Sequence, residues 1–278
     1  MNYKMKHIVL ITDCRDIASE QIKGRLSKLL EEKDIDYKIY NAFTPPFQIT
    51  NGMFLAKLLF DEVPNGKDTL YLAILNPLKE KPKRIFGRLK NGSYFVGADT
   101  GIFSLIFKES NLQEVWETKN PGHYPFGGLH VHSVAAAKLL MRENFEKVGD
   151  KLKLEDIKFY EPEKGEVVHI DNFGLSKIWL RESDLKFEEE TPIKIKIFNS
   201  NKELKSEFKA VYSNRMMNYE DNQIIVYPGS SLLDSKLKEN NEKYRRSGLI
   251  EIGLVRNPNS SEFLKINLGD LIEIIKDN

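Results

Sequence analysis

The sequence predicts two domains, an α/β domain over residues 1–160 and a β-rich domain over residues 161–278. In the first part, apolar runs of strand length alternate with segments of helical period, which is typical of an α/β layer. After the polar, turn-forming stretch at residues 159–165, helical periods nearly vanish and period-two alternation recurs between turns. We therefore expect a mostly parallel sheet flanked by helices in the first domain. The second domain is expected to be all-β, either a small barrel or a sandwich.

The first predicted strand is Ile8–Thr12, whose residues are all apolar or β-branched, as in a buried strand. Asp13 and Asp16 follow it, before an amphipathic helix. Ligands of open α/β sheets bind outside the carboxyl ends of strands, and a carboxylate there can accept hydrogen bonds from two hydroxyls, such as a ribose diol. Alternatively, Asp13 caps the helix or ties the turn. No glycine-rich phosphate motif follows the strand, so a pyrophosphate cradle is not expected.

Three further side chains of the first domain are candidates for contact with a ligand. Phe47 lies at the tip of a proline-containing loop, where its ring could cover a flat ligand or fold back on the core. Asn76 ends a buried strand predicted over residues 69–75, so it could face the same crevice as Asp13. Asp99 stands before a glycine turn, where it either faces a ligand or holds the turn as an Asx residue.

Three histidines, His123, His130 and His132, crowd the start of a helix predicted over residues 129–144. Imidazole is the commonest metal ligand in proteins, so a metal site is one interpretation. However, residues two apart on a helix point to different faces, and no cysteine or carboxylate cluster stands nearby. We therefore expect neither a metal nor a cofactor.

The composition limits the class of partner. The 278 residues carry a net charge of +1, whereas nucleic-acid binders usually show a clustered basic surplus. The single cysteine, Cys14, excludes an internal disulfide and fits a reducing compartment. No segment approaches the ~18 apolar residues of a membrane span, and no signal-like apolar stretch begins the chain. We expect a cytoplasmic protein that binds neither nucleic acid nor membrane.

A set of short motifs, in order along the whole chain, indicates a family. They are Thr12-Asp13 with Lys23-Gly24, Pro45-Pro46-Phe47, residues 73–77, 94–101, 135–139 and 171–174, and Leu268-Gly269-Asp270. Their order and spacing together resemble the S-adenosylmethionine hydroxide adenosyltransferases, a family similar to the fluorinase and chlorinase enzymes. The resemblance implies a homotrimer that binds an adenosyl ligand between the N-terminal domain of one subunit and the C-terminal domain of its neighbour.

The resemblance also implies roles for individual residues. Asp13 would hold the ribose hydroxyls, and Phe47 would line the ribose side. Phe173 would stack on adenine, and Asp171 would meet the methionine ammonium. The reaction implied is displacement at the ribose C5′ by water or hydroxide, with methionine leaving from the sulfonium.

The resemblance suggests further substrate-binding residues through a looser alignment. Ser247 would sit near the methionine carboxylate, with Arg246 or Arg245 as its charge partner. Asp16 matches an acidic position of the family if the preceding turn is shortened by two residues. Asp99 lies where the family has a Pro-Asp-Asn-Gly turn, which reads Ala98-Asp99-Thr100-Gly101 in this chain.

The chain differs from the family at the residues that position the attacking water. The hydrolytic members have Asp-Pro-Gly where this chain has Asn76-Pro77-Leu78, and their His-Gly-Arg-Asp segment aligns with residues 127–130, where Leu129 replaces the arginine. Their triad of Asp, Arg and His would map to Asn76, to a residue around Lys83 or Arg84, and to Gly127. At least two of the three members are therefore missing.

The departures leave three hypotheses open. In the first, the chain is an S-adenosylmethionine hydrolase that releases adenosine and methionine, with Asn76 orienting water and His130 or His123 as base. An asparagine carbonyl can orient water but cannot take its proton at neutral pH. In the second, the chain is a non-catalytic binder of S-adenosylmethionine or adenosine. In the third, the ligand site has been repurposed or lost, and the chain is a structural trimer.

Overall fold

The computed structural model describes residues 5–77, 81–119, 122 and 124–277. The chain divides into two compact units, Met1–Glu161 and Pro162–Asn278, each with a seven-stranded sheet. The two-domain α/β prediction is confirmed at this level. Within the ranges given, no helix combines the length and the apolar character that crossing a membrane requires.

The N-terminal unit has seven strands with helices between them. Its strands are β1 (Lys6–Thr12), β2 (Tyr37–Phe43), β3 (Thr69–Ile74), β4 (Arg84–Leu89), β5 (Tyr94–Ala98), β6 (Leu112–Thr118) and β7 (Gly149–Leu152). Its helices are α1 (Ile17–Glu31), α2 (Ile49–Glu62), α3 (Ser104–Ser110), a π-helix (Gly128–His132), α4 (Ser133–Leu140), α5 (Phe145–Val148) and a 3₁₀ turn (Leu154–Asp156). The strand order is β2-β1-β3-β5-β4-β6-β7.

The sheet of the N-terminal unit is mixed, which corrects the prediction of a mostly parallel sheet. β1 pairs in parallel with β2 and β3, and β3 with β5, but the three pairs that involve β4, β6 and β7 are antiparallel. The reason is the tight turn between β4 and β5, where Gly92 N–H donates to the Leu89 carbonyl and has a φ of +92°. A connection this short joins only antiparallel neighbours.

The core of the N-terminal unit explains which strand ends lie together. Residues 8–11 of β1 and all of β3 are buried, as their apolar runs predicted. On one face, α4 packs its buried residues Ala135–Ala137 against the sheet. Alanine lets a helix approach closely, so the π-helix that precedes α4 lies directly on the end of β3.

The C-terminal unit is built on a second sheet with the order β14-β10-β11-β12-β13-β9-β8. Its strands are β8 (Val167–Ile170), β9 (Ser176–Arg181), β10 (Pro192–Phe198), β11 (Leu204–Tyr212), β12 (Ile224–Pro228), β13 (Leu249–Leu254) and β14 (Leu271–Lys276). All its pairs are antiparallel except β11 with β12. Next to the edge strands, Val167 N–H donates to the Asp270 carbonyl at 2.8 Å, and Ile272 N–H to the Gly165 carbonyl at 2.8 Å.

The C-terminal unit is not purely β, which corrects the all-β prediction. Three short α-helices and two 3₁₀ turns lie between its strands: α6 (Glu182–Leu185), α7 (Asn241–Arg245) and α8 (Ser260–Leu264), with the 3₁₀ turns at Met216–Asn218 and Ser235–Leu237. They form in polar, charged insertions, and α7 is capped by Asn240, whose Oδ1 accepts from Lys243 N at 3.2 Å.

Candidate functional site

Asp13 joins three segments at the carboxyl end of the N-terminal sheet. It directly follows β1, and its Oδ2 accepts hydrogen bonds from the backbone N–H of Asn76 at 3.0 Å and of Phe47 at 3.3 Å. Asn76 comes two residues after β3, and Phe47 lies in the loop after β2. Asp13 therefore ties the turn rather than capping the helix, and three predicted site residues are brought together.

Phe47 adopts a conformation that a bulky side chain rarely takes. Its φ is +66°, in the left-handed region, and 44% of its surface is exposed. Such a conformation costs of order 1–3 kcal/mol and persists where the surroundings hold it, here through the bond to Asp13. The ring is not folded into the core, so it is available to a ligand.

The other two acidic candidates of the N-terminal unit carry structural bonds. Asp16 is the N-cap of α1, and its Oδ1 accepts from Ala18 N at 2.9 Å. Asp99 is buried, and its Oδ1 accepts from Lys158 N at 3.0 Å, which fastens that segment to the end of β5. Burial raises the pKa of the Asp99 carboxyl. The structure gives both residues a bonded partner within the chain.

The start of the π-helix Gly128–His132 lies against Arg84 and against the end of β3. A Cβ on Gly127 would lie 2.8 Å from Arg84 Nη2, so the Arg84 guanidinium lies against this position. A Cβ on Gly128 would lie 2.5 Å from Ile74 Cγ2, at the end of β3. The π-helix therefore starts against Ile74, which precedes Asn76 by two positions in the chain.

The histidines near the π-helix differ in exposure. His130 is exposed and stacks on Tyr124 with ring centroids 4.9 Å apart, whereas His132 is buried. Burial, followed by the like charge of Arg84, lowers the pKa of His132 to about 4. His123 lies outside the described residues. In the ranges that the structure describes, no group of three or more His, Cys, Asp and Glu side chains could hold a metal ion.

In the C-terminal unit, a rigid turn presents Phe173. Asp171 Oδ1 accepts from the backbone N–H of Phe173 at 2.9 Å and of Leu175 at 3.0 Å, and Gly174 has a φ of +73°. The Phe173 side chain is 62% exposed. An exposed benzyl ring on a hydrogen-bonded turn can stack on a flat ring without ordering a loop first.

Asp171 also belongs to a charged network that the sequence analysis missed. Its Oδ2 accepts from Lys177 Nζ at 3.1 Å, and the same ammonium lies 3.1 Å from Glu251 Oε1. Tyr227 donates to Glu251 Oε2 at 2.8 Å. Two carboxylates face one ammonium, which leaves one negative charge in excess and favours a cationic ligand group. Burial, followed by the charge of Lys177, lowers the pKa of the neighbouring His169 to about 4.

Ser247 and Arg246 are held by bonds inside the C-terminal unit. Ser247 Oγ donates to the Tyr244 carbonyl at 2.7 Å and accepts from Asp234 N at 2.8 Å. The Arg246 guanidinium grips Glu182 through two nitrogens, with Nε 2.9 Å from Oε2. These bonds fix the segment around α7. If Arg246 binds a ligand carboxylate, it does so through the N–H groups that do not bond to Glu182.

Comparison with known proteins supports the same family. Residues 8–149 match the family model described as the SAM hydroxide adenosyltransferase N-terminal domain. The chain is 27% identical to the (R)-S-adenosyl-L-methionine hydrolase of Methanocaldococcus jannaschii over 263 residues. This alignment covers 91% of this chain and 89% of the relative.

Two solved structures share the fold. One is an uncharacterized conserved protein from Thermotoga maritima, with a TM-score of 0.74, 20% identity, and coverage of 96% of this chain and 100% of that one. The other is a conserved hypothetical protein from Thermus thermophilus, with a TM-score of 0.69, 17% identity, and coverage of 98% and 100%. The chain belongs to the S-adenosylmethionine hydroxide adenosyltransferase family.

Proposed function

We propose that the protein is an enzyme that hydrolyses S-adenosyl-L-methionine to adenosine and L-methionine. Family membership and the similarity to a hydrolase over 91% of the chain support this reaction class. The observation that carries the proposal is the meeting of the Asp13 carboxylate with the backbone of Phe47 and Asn76 at one edge of the sheet. Ligands of α/β sheets bind at the carboxyl ends of strands, which supports a site for the ribose here.

The reaction needs no covalent intermediate with the protein. Water attacks C5′, the C5′–S bond breaks, and its electron pair converts the sulfonium into the thioether of methionine. The former water oxygen becomes the 5′-hydroxyl of adenosine after it loses one proton to solvent. Because the leaving group is good, catalysis consists mainly of holding water in line with that bond and removing bulk solvent. The Asn76 side-chain carbonyl can accept a hydrogen bond from the water and so orient it.

The remaining contacts are assigned by chemistry. Asp13 uses Oδ2 for the backbone, and its Oδ1, which accepts a long bond from the Cys14 thiol at 3.9 Å, would accept from the ribose hydroxyls. Phe173 stacks on adenine, and the network of Asp171, Lys177 and Glu251 meets the ammonium through its excess negative charge. Arg246 attracts the carboxylate.

We further propose the assembly and location that the family resemblance implies. The protein forms a homotrimer whose ligand sites are completed by a neighbouring subunit, and the exposed Phe173 ring supports a partner at that surface. The bonds of Val167 and Ile272 at the sheet edges support a closed barrel for the C-terminal unit. A cytoplasmic location stays a prediction.

Incubation with S-adenosylmethionine tests the activity. Adenosine and methionine are expected in equal amounts over many turnovers, and both sulfonium epimers are assayed because the relative is named for the (R) form. A protein that binds S-adenosylmethionine without hydrolysing it would release no product but would have a raised Tm. At a ligand concentration a hundredfold above Kd, binding stabilises the folded state by ~2.7 kcal/mol. Neither product nor stabilisation would leave only a structural protein.

Replacing Phe173 by alanine tests the stacking. Base–aromatic stacking is worth about 1–3 kcal/mol, so Kd for S-adenosylmethionine is expected to rise about 5- to 150-fold, measured by calorimetry. Tm should change little because the ring is exposed. Phe263→Ala is the matched control, since Phe263 is 58% exposed in the same unit. Equal affinities for wild type and Phe173→Ala would remove Phe173 from the site.

A further inference from the structure

A cavity of about 240 Å³ opens beside α4 in the N-terminal unit. Its walls come from the end of β6, the π-helix, α4 and α5, and Asp13, Phe47 and Asn76 are not among its lining residues. At ~30 Å³ for each water, the cavity has room for about eight waters, or for a ligand with a similar number of non-hydrogen atoms. The proposed hydrolysis gives this cavity no role.

The floor of the cavity is apolar. Val131, Val134 and Ala135 come from the π-helix and α4, and Val148 comes from α5. Val131, Ala135 and Val148 are buried, which fixes the shape of the floor. Because these side chains have no polar atoms, the floor favours the hydrocarbon part of a ligand over a fully hydrated ion.

Three lysines, Lys119, Lys138 and Lys147, line the same cavity. The whole chain is nearly neutral, with 42 basic and 41 acidic residues, but no Asp or Glu is among the described residues that line this cavity. Within the part of the chain that the structure describes, the ammonium groups of Lys138 and Lys147 form neither an ion pair nor a hydrogen bond. Like charges gathered without a counter-charge repel one another, and a bound anion offsets that repulsion.

Hydrogen bonds hold the walls of the cavity in place. Lys119 Nζ donates to the Glu146 carbonyl at 2.6 Å, and the Lys119 backbone N–H donates to the Val148 carbonyl at 3.0 Å. Both bonds fasten the segment after β6 to α5. Tyr124 and His130, which also line the cavity, stack on each other. The cavity is therefore formed before a ligand binds, which lowers the entropic cost of binding.

We propose that this cavity binds a small carboxylate with a branched apolar tail and no ammonium group. The carboxylate oxygens accept from the ammonium groups of Lys138 and Lys147, and the tail lies on Val134 and Val148. A ligand ammonium would meet three cations and no described carboxylate, so free amino acids are disfavoured. A phosphate ion would pair with the lysines but would leave the apolar floor uncovered.

Calorimetry on the full-length protein at constant ionic strength tests the proposal with four probes: 4-methylpentanoate, L-leucine, 4-methylpentanamide and inorganic phosphate. 4-Methylpentanoate is expected to bind. L-Leucine adds an ammonium to the same skeleton, and the amide removes the charge, so both are expected to bind at least about 10-fold more weakly. Equal affinity for L-leucine or for the amide overturns the proposal. Phosphate binding without 4-methylpentanoate binding, or no binding of any probe, also overturns it.

Lys138→Gln and Val134→Thr test the two halves of the site. Lys138→Gln is expected to raise Kd for 4-methylpentanoate about 10-fold, because it removes a charged donor. Val134→Thr adds a hydroxyl to the apolar floor at nearly the same volume, so Kd should rise about 5-fold. Lys28→Gln is the matched control, since Lys28 is exposed on α1 and does not line the cavity.

Wild-type Kd in Lys138→Gln, or an equal rise of Kd in Lys28→Gln, would place the probe elsewhere on the protein and overturn the proposal. None of these measurements uses S-adenosylmethionine. The proposed hydrolysis therefore stands if the carboxylate site fails, and the carboxylate site stands if wild-type protein releases no adenosine.

Discussion

Replacing Asp13 by alanine is expected to lower kcat/KM for S-adenosylmethionine about 100-fold and the free energy of unfolding by about 2 kcal/mol. One carboxylate oxygen accepts from two backbone N–H groups, and bonds to a charged acceptor are worth roughly 1.5–3 kcal/mol. Without them, the Phe47 loop and the end of β3 lose their common anchor. A displacement of about 1 Å in a reacting geometry can cost about 100-fold in rate.

Asp13→Asn separates the anchor from the ligand contact. Both backbone donors use the same oxygen, Oδ2, so the amide oxygen of asparagine can accept both bonds. The second position then carries an NH₂ group, which cannot accept from a ribose hydroxyl. Asp13→Asn should therefore keep the wild-type Tm but bind S-adenosylmethionine more weakly by calorimetry. Wild-type affinity in this variant would show that Asp13 serves only as an anchor.

Acidification from pH 7 to pH 4 is expected to destabilise the protein by about 3 kcal/mol through His132 alone. An unfolded histidine binds a proton near pH 6.5, whereas burial and Arg84 lower the pKa of His132 to about 4. Between these pH values the unfolded state binds more protons, so stability is full above about pH 6.5 and falls as the pH drops toward 4. His169 has the same sign, because its pKa is also lowered to about 4, by burial first and then by Lys177.

Urea unfolding of wild type and His132→Phe at pH 7 and pH 4.5 measures this term. The difference between the two proteins cancels the carboxylates, which titrate in both. His132→Phe should lose less stability on acidification than wild type, because it lacks the buried imidazole. An equal loss in wild type and His132→Phe would contradict the burial of a neutral imidazole.

The strands that could be predicted are those whose residues are either all apolar or alternate regularly between apolar and charged. β1 and β3 are apolar throughout because both their faces are buried, and β10 alternates isoleucine and lysine because one face is solvated. β4 and β6 were missed, since each mixes charged residues into a short strand. The helix predicted over residues 129–144 is interrupted, because its first turn is π and α4 ends at Leu140.

The site was predictable in its residue types but not in its bonds. Asp13 lies 63 residues from Asn76, and no local pattern shows that one carboxylate oxygen serves both Asn76 and Phe47. Lys177 was missed because its partners, Asp171 and Glu251, come from separate segments. His132 had a usable signal, since it lies four residues before the buried Ala136, but its burial depends on the close packing of the π-helix.

Hydrolysis in water enriched in ¹⁸O tests most directly whether water displaces methionine at C5′. Mass spectrometry of the products is expected to find one ¹⁸O per adenosine, in the 5′-hydroxyl, and none in methionine. Label in homoserine, or in a ribose freed from adenine, would place the attack at another carbon and contradict the account. Unlabelled adenosine would show that water is not the nucleophile.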